Sequence, residues 1–322
     1  MPVSTALAVA LLGLSAVTGA HAEGRHVLLH LRDPSITESS GLAVSQRHPG
    51  VLWTHNDGGQ VADIEAIDSS GRTVATVQLA GIDPYDPEAL APGTDRRGRP
   101  VLFLGDIGDN SQRRPDVSVF RFLEPRHLHD QTLHARWYKF TYPDGPHDAE
   151  ALMVRPSDGR IFIATKDVFE GHLYRAPAHL RTDRPNRLTK LQGLPPLITD
   201  GAFLDDGRLV LRSYLNGYLF DRRLALVASE AMPDQVQGES LAVDGGRLLV
   251  GSEGAHSAVW SVPLPSLPAA SDTGALASSG AHRLTRPALL ALGGAAALVV
   301  LVSATLVRRR RRGVGRRGIT GA

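Results

Sequence analysis

One phrase, an acidic residue followed by small and then apolar residues, recurs five times and constrains this chain's fold more than any other feature. It reads Glu38-Ser39-Ser40-Gly41-Leu42-Ala43-Val44, then Asp86-Pro87-Glu88-Ala89-Leu90-Ala91, then Asp148-Ala149-Glu150-Ala151-Leu152-Met153-Val154. The last two copies are Asp200-Gly201-Ala202-Phe203-Leu204 and Gly238-Glu239-Ser240-Leu241-Ala242-Val243. A turn rich in Gly, Asp or Pro follows each copy, and then a strand-like apolar run: Val51–Thr54, Val101–Leu104, Arg160–Ile163, Arg208–Leu211 and Arg247–Val250. A third strand comes next in Ala62–Asp68, Val117–Leu123, His172–Ala176, Gly217–Asp221 and Ala258–Leu264. A fourth, more polar one follows in Arg72–Leu79, His134–Tyr142, Arg187–Gln192 and Leu224–Glu230. No long segment of 3.6-residue period lies between Glu23 and Pro263, which argues against helical and α/β folds.

Four-stranded repeats of this length are the mark of propeller blades. The sequence therefore predicts an all-β fold, a β-propeller of five four-stranded blades; six would require an irregular segment to hide one. The fifth copy has no fourth strand of its own, and His26–Leu31 ahead of the first copy can supply it, closing the ring and removing the open edge. A β-sandwich is the competing arrangement for the same strand density.

In a propeller the start of the innermost strand and the end of the second strand of each blade lie on one face, near the central channel. The starts carry Glu38, Glu88, Glu150, Asp200 and Glu239. The second-strand ends carry Asp57, Asp106, Asp167 and Glu253, with Arg212 in the fourth blade and Lys166 beside Asp167. Carboxylates gathered around one mouth repel unless a cation or ligand compensates them, and an oxygen-rich site without thiolates suits a hard cation, Ca²⁺ above all. Two loops fit such a site: His55-Asn56-Asp57-Gly58-Gly59 and Gly105-Asp106-Ile107-Gly108-Asp109-Asn110. Each sets Asp or Asn beside Gly, which lets carboxylates and backbone carbonyls converge, although neither has EF-hand spacing and both read equally as β-turns. The candidate metal ligands are thus Glu38, Asp57, Glu88, Asp106, Asp109, Asn110, Glu150, Asp167, Asp200, Glu239 and Glu253. The candidate ligand-binding residues are His55, Asn56, Lys166 and Arg212. His147 and His172 are weaker candidates, and Trp53, Trp137 and Trp260 are expected to pack between blades. Gly-x-Ser-x-Gly, Walker-type and His-Glu-x-x-His motifs are missing from the sequence.

The two ends give a topology. Residues 1–22 read as a signal peptide, with the apolar run Ala6–Val17 and the cleavage pattern Ala20-His21-Ala22, though no Lys or Arg precedes the run. Residues 288–307 are uncharged and rich in Leu, Val and Ala; as a helix they would be about 30 Å long, the thickness of a bilayer's hydrocarbon core. Arg308–Arg312, Arg316 and Arg317 follow, as befits a cytoplasmic tail over 308–322. Residues 265–287, rich in Ser, Ala, Gly and Pro, read as a flexible stalk, and 23–264 as an extracellular domain. The chain has 35 Lys+Arg and 33 Asp+Glu, and seven of the arginines lie in the tail, so what precedes the tail is acidic. The basic balance thus belongs to a membrane-flanking segment and does not indicate nucleic acid. With 0 Cys, disulfides and thiolate chemistry are excluded.

The phrases Glu38-Ser39-Ser40-Gly41-Leu42-Ala43, Trp53-Thr54-His55-Asn56-Asp57-Gly58-Gly59 and Gly105-Asp106-Ile107-Gly108-Asp109-Asn110 resemble those of uncharacterised exported bacterial β-propeller proteins of WD40-like or lactonase-like repeat type. Asp148-Ala149-Glu150-Ala151-Leu152 is similar to the Asp-x-Glu-Gly-Leu phrase of phytase-like propellers, but Ala151 replaces the glycine and the lysines are only Lys139, Lys166 and Lys190, short of a phytase-type cluster. The Trp-Asp dipeptide of true WD40 blades is also missing, and Gly-His occurs once, at Gly171-His172.

The expected function is that of a single-pass, membrane-anchored extracellular propeller that binds a ligand or a cell-wall partner through an acidic, Ca²⁺-loaded mouth. Two other readings stand beside it: a metal-dependent hydrolase of phosphate or carboxylic esters, and a purely structural surface domain.

Overall fold

The computed structural model describes residues 24–58 and 61–265, and the signal-peptide, stalk, span and tail expectations lie outside them apart from Pro265, the first residue of the stalk. The chain opens with β1 (His26–His30) and then builds a first blade from β2 (Ser39–Val44), β3 (Leu52–Asn56), β4 (Asp63–Ile67) and β5 (Thr73–Leu79). The second blade holds β6 (Pro87–Thr94), β7 (Pro100–Asp106), β8 (Val117–Leu123) and β10 (Arg136–Thr141), with the short β9 (Gln131–Leu133) inserted before its last strand. The third holds β11 (Ala149–Val154), β12 (Ile161–Thr165), β13 (Gly171–Arg175) and β15 (Thr189–Leu194), with β14 (Asn186–Arg187) inserted likewise. The fourth is β16 (Ile198–Phe203), β17 (Leu209–Ser213), β18 (Asn216–Phe220) and β19 (Leu226–Ala231). The fifth is β20 (Leu241–Asp244), β21 (Arg247–Val250) and β22 (Ala258–Pro263).

β1 pairs antiparallel with β22 and becomes the fourth strand of the fifth blade, so the ring closes as the sequence predicts. Arg25 reinforces the closure with an ion pair to Glu230 of the fourth blade at 2.7 Å. Five separate sheets exclude the two-sheet sandwich and settle the blade number at five.

The core is divided among the seams between blades. Trp53, Ile64 and Val77 of the first blade meet Leu104, Phe120 and Phe122 of the second. Phe103 and Phe140 meet Ile163 and Tyr174, Phe162 meets Phe203 and Leu211, and Val210 and Leu219 meet Leu248 and Val262. Leu42 and Leu52 meet Leu249 and Val259 across the closing seam. This arrangement explains two hydrophobic patterns at once. The second strand β12 is covered by neighbouring blades on both faces and is buried at every position, whereas the outer strand β5 alternates. Gly41 lies where two inner strands come closest: a Cβ there would fall 2.4 Å from the Leu90 nitrogen. Gly41→Ala is therefore expected to destabilise by about 1–3 kcal/mol, measurable by chemical denaturation.

Two features escape the sequence pattern. β9 leaves the second blade to pair in parallel with β5 of the first, and β14 leaves the third to pair in parallel with β10 of the second, so each strap clasps the preceding blade. Trp137 does not pack between blades. It is 51% exposed on β10, tethered by its Nε1 donating to Ser118 Oγ at 2.8 Å.

Candidate functional site

Every inner strand of the first four blades begins with a β-bulge. The ladder skips Ser40, Glu88, Glu150 and Thr199, each directly after the strand's first pairing. A bulge turns one side chain out of the pleat and re-aims it. One backbone hydrogen bond fixes the register: Asp57 N donates to Glu38 O, Gly108 N to Asp86 O, Lys166 N to Asp148 O and Glu253 N to Gln237 O, at 2.9–3.1 Å. Equivalent positions are thus Glu38, Asp86, Asp148 and Gln237, and, two residues on, Ser40, Glu88, Glu150 and Glu239. The acids that the sequence aligns as one ring fall on three levels: Glu88, Glu150 and Glu239 are equivalent, Glu38 comes two residues earlier, and Asp200 one residue after the bulge.

At the centre stands Lys166, whose Nζ donates to Glu150 Oε1 and lies 5.0 Å from the Tyr214 ring centroid. Burial alone would discharge it, but Glu150, Glu239, Tyr214 and Glu88 outweigh that cost and hold its ammonium well above the ordinary lysine range. One ammonium does not neutralise the surrounding acids. Burial, with Glu38, Asp86 and Glu239 nearby, pushes Asp57 up to about 7. Burial and Glu239, Asp57 and Glu38 push Glu253 up to about 8. Asp86 rises to about 6, through burial and the charge of Asp148, against the pull of Arg114. Glu88 and Glu150 are driven above the ordinary range by burial first, with neighbouring acids pushing the same way and Lys166 pulling both down. Glu150 Oε2 and Glu239 Oε2 are buried and accept no hydrogen bond among the described residues.

Other predicted site residues serve the scaffold. Asn56 Oδ1 accepts the amides of Thr37 and Glu38, each at 3.0 Å, and braces the linker into β2. Asp106 accepts Asp86 N at 2.9 Å and Arg114 Nη1 at 2.8 Å. Asp109 Oδ2 takes the amides of Arg113 and Arg114, and Asp167 caps its own turn through Phe169 N at 3.0 Å. Asn110 is exposed beside Asp86. Asp200 is buried, accepting Gly201 N and, from the next blade, Leu241 N at 2.6 Å. Arg212 is fully buried and donates to Ser240 O, Gly251 O and Gln235 Oε1 at 3.0–3.1 Å, so it rivets the fourth blade to the fifth. His55 is buried between the first two blades, its Nε2 3.2 Å from Pro87 O; burial holds it down at about 4, hence neutral. His147 and His172 lie elsewhere, His147 with Tyr174, Asp144 and Lys190 in a polar cluster at the outer seam between the second and third blades.

Asp86, Asp148 and Tyr214 join the mouth although the sequence did not single them out for it. Asp86 and Asp148 were legible as the first acid of each Asp-x-Glu phrase; Tyr214 had no comparable signal. Among the described residues no three His, Asp or Glu side chains form a ready-made metal shell. Around the acids the loops of this face raise exposed apolar side chains: Phe169 (90% exposed), Val236 (96%), Leu215 (67%) and Tyr85. The mouth is an acidic centre within an apolar collar.

Together these features define a closed five-bladed β-propeller with an acidic channel mouth. No family model matches the chain, and no curated protein matches it. Solved propellers do. A gluconolactonase from Xanthomonas campestris is 16% identical, with 70% of this chain and 72% of that one covered at a TM-score of 0.46. A luciferin-regenerating enzyme is 12% identical over 70% and 77% at 0.44, and virginiamycin B lyase from Staphylococcus aureus is 14% identical over 70% and 66% at 0.37.

Proposed function

We propose that this propeller is a cell-surface binding module whose mouth takes a hard cation, Ca²⁺ by its chemistry, and through it an oxygen-bearing ligand with an apolar body. The observation that carries this is the pair of buried, unpartnered carboxylate oxygens of Glu150 and Glu239, set among acids held far above their ordinary range. A site that raises the proton affinity of its own carboxyls has affinity to spend on a cation, and an all-oxygen donor set fits Ca²⁺. The residues that would hold the ion are Glu88, Glu150, Glu239, Asp57 and Glu253. The collar of Tyr85, Phe169, Leu215 and Val236 would receive the ligand's apolar part. β22 runs from the mouth face to the opposite one, so a membrane anchor following it would point the mouth away from the bilayer, toward a cell-wall or extracellular partner.

Calorimetric titration of the full chain in detergent with CaCl₂ is expected to give saturable binding. The pair Asp57→Asn and Glu253→Gln should weaken it by about tenfold or more, which is about 1.4 kcal/mol. Heat of binding absent for Ca²⁺, Mg²⁺ and Mn²⁺ alike would remove the cation. Deleting residues 288–322 should release the domain into the medium; its retention would remove the anchor.

A second reading, ester hydrolysis assisted by the cation, is favoured by Asp57 alone, whose carboxyl at about 7 is poised for proton transfer near neutral pH. Turnover of an aryl phosphate or carboxylic ester panel, lost in Asp57→Asn, would establish it.

A further inference from the structure

We propose that the face opposite the mouth carries a separate anion site, for a phosphate-bearing ligand, in the cleft between the first two blades. Three turns meet there: Arg47 follows β2, Arg99 precedes the second strand of the next blade, and Arg126 follows β8. The β9 strap crosses from one blade to the other at the same place and brings His127 and His129 with it. These five basic side chains line a single cleft of about 520 Å³ whose apolar walls include Leu123, Pro125 and Leu133.

The charge of this cleft is not cancelled from within. Arg99 is paired with Asp95 at 2.7 Å, whereas Arg47 and Arg126 make no ion pair among the described residues. Arg47 Nε is moreover buried without a hydrogen-bond partner among them. Glu124, the one acid in the lining, is turned inward: its oxygens accept from Ser45 Oγ, from Trp53 Nε1 at 3.0 Å and from Gln46 N at 3.2 Å. A phosphate in the cleft would supply the acceptors that the unpaired guanidinium groups of Arg47 and Arg126 lack among the described residues. Guanidinium forks match the tetrahedral oxygens of phosphate, and the apolar walls suit the carbon skeleton that joins or bears the phosphates. The site is independent of the mouth, lies on the other face and has the opposite sign.

The phosphate could reach this cleft as a free polyanion or on a lipid headgroup, and calorimetry separates the two. The full chain in detergent is titrated with inorganic tripolyphosphate and, separately, with the soluble headgroup glycerophosphoglycerol. Saturable binding of at least one, weakened about tenfold by Arg47→Gln with Arg126→Gln, is the expected result. The one that binds identifies the source. Should the double variant fold poorly, Arg126→Gln alone, at an exposed position, should still weaken binding several-fold. Binding of neither compound, or binding unchanged in well-folded variants, would overturn the assignment.

Discussion

Replacing Lys166 with Met is expected to lower the melting temperature at pH 8 by roughly 6–20 °C, the equivalent of about 3–5 kcal/mol in a domain of this size. Its ammonium is the cation bonded to Glu150 and set among Glu88, Glu239 and Tyr214, and its side chain is only 16% exposed. Methionine conserves the volume but leaves buried carboxylates facing one another, and breaking a buried pair from one side costs more than the pair contributes. At pH 5 the loss should shrink, because carboxyls whose proton affinity is already raised take up protons in place of the missing charge. Scanning calorimetry at both pH values checks this. An equal loss at both would mean that Lys166 acts only as packing.

Arg212→Met should cost a similar amount, about 3–5 kcal/mol, for a different reason and with a different pH signature. The side chain is fully buried and its donors go mainly to backbone carbonyls of the fifth blade, Ser240 O and Gly251 O, and to Gln235 Oε1. Those acceptors do not titrate, and only the nearby Glu239 and Asp200 feel the Arg212 charge, so the loss should shrink only in part between pH 8 and pH 5. Burial lowers the pKa of Arg212 to about 10, so it remains charged throughout that range. Gly238→Ala should act in the same direction, since its Cβ would fall 2.0 Å from Arg212 Nη2. Hydrogen exchange in 240–251 should accelerate in both variants; unchanged protection there would show that the seam is held by other contacts.

The fold was legible because the chain repeats itself. Five copies of one phrase gave the blades, and an unpaired apolar strand at His26–His30 gave the closure. The straps β9 and β14 were not legible, because pairings of two or three residues carry no alternation to detect. The gathering of acids on one face was legible, and their levels within the mouth were not. Aligning the acids by eye puts Asp200 on a level with Glu150, but the bulge falls on Thr199, and the one-residue difference turns Asp200 onto backbone amides instead of into the channel. Asp106 and Asp109 likewise look like ligands in sequence and are taken up by Arg114 and by the amides of their own loop. Asp and Gly in a loop serve turn and site alike, and only three-dimensional partners tell them apart.

Proton linkage gives the acidic mouth its most direct test. The folded state raises Asp57 to about 7 and Glu253 to about 8, so between pH 4 and 8, roughly, the native protein binds protons that the unfolded chain releases. Without a cation, stability is therefore greatest at the acidic end of that window and is lost as pH rises through it. A cation that replaces those protons should restore it. The measurement is the melting temperature of the full chain in detergent at pH 5 and pH 8, with chelator and then with CaCl₂ at about 100 times its dissociation constant, where binding adds about 2.7 kcal/mol. The expected result is a lower melting point at pH 8 than at pH 5 in chelator, a Ca²⁺-induced rise at pH 8 of roughly 5–10 °C, and a smaller rise at pH 5. A melting point that climbs from pH 5 to pH 8 in chelator, or one that no divalent cation moves at pH 8, would contradict the acidic mouth as a cation site.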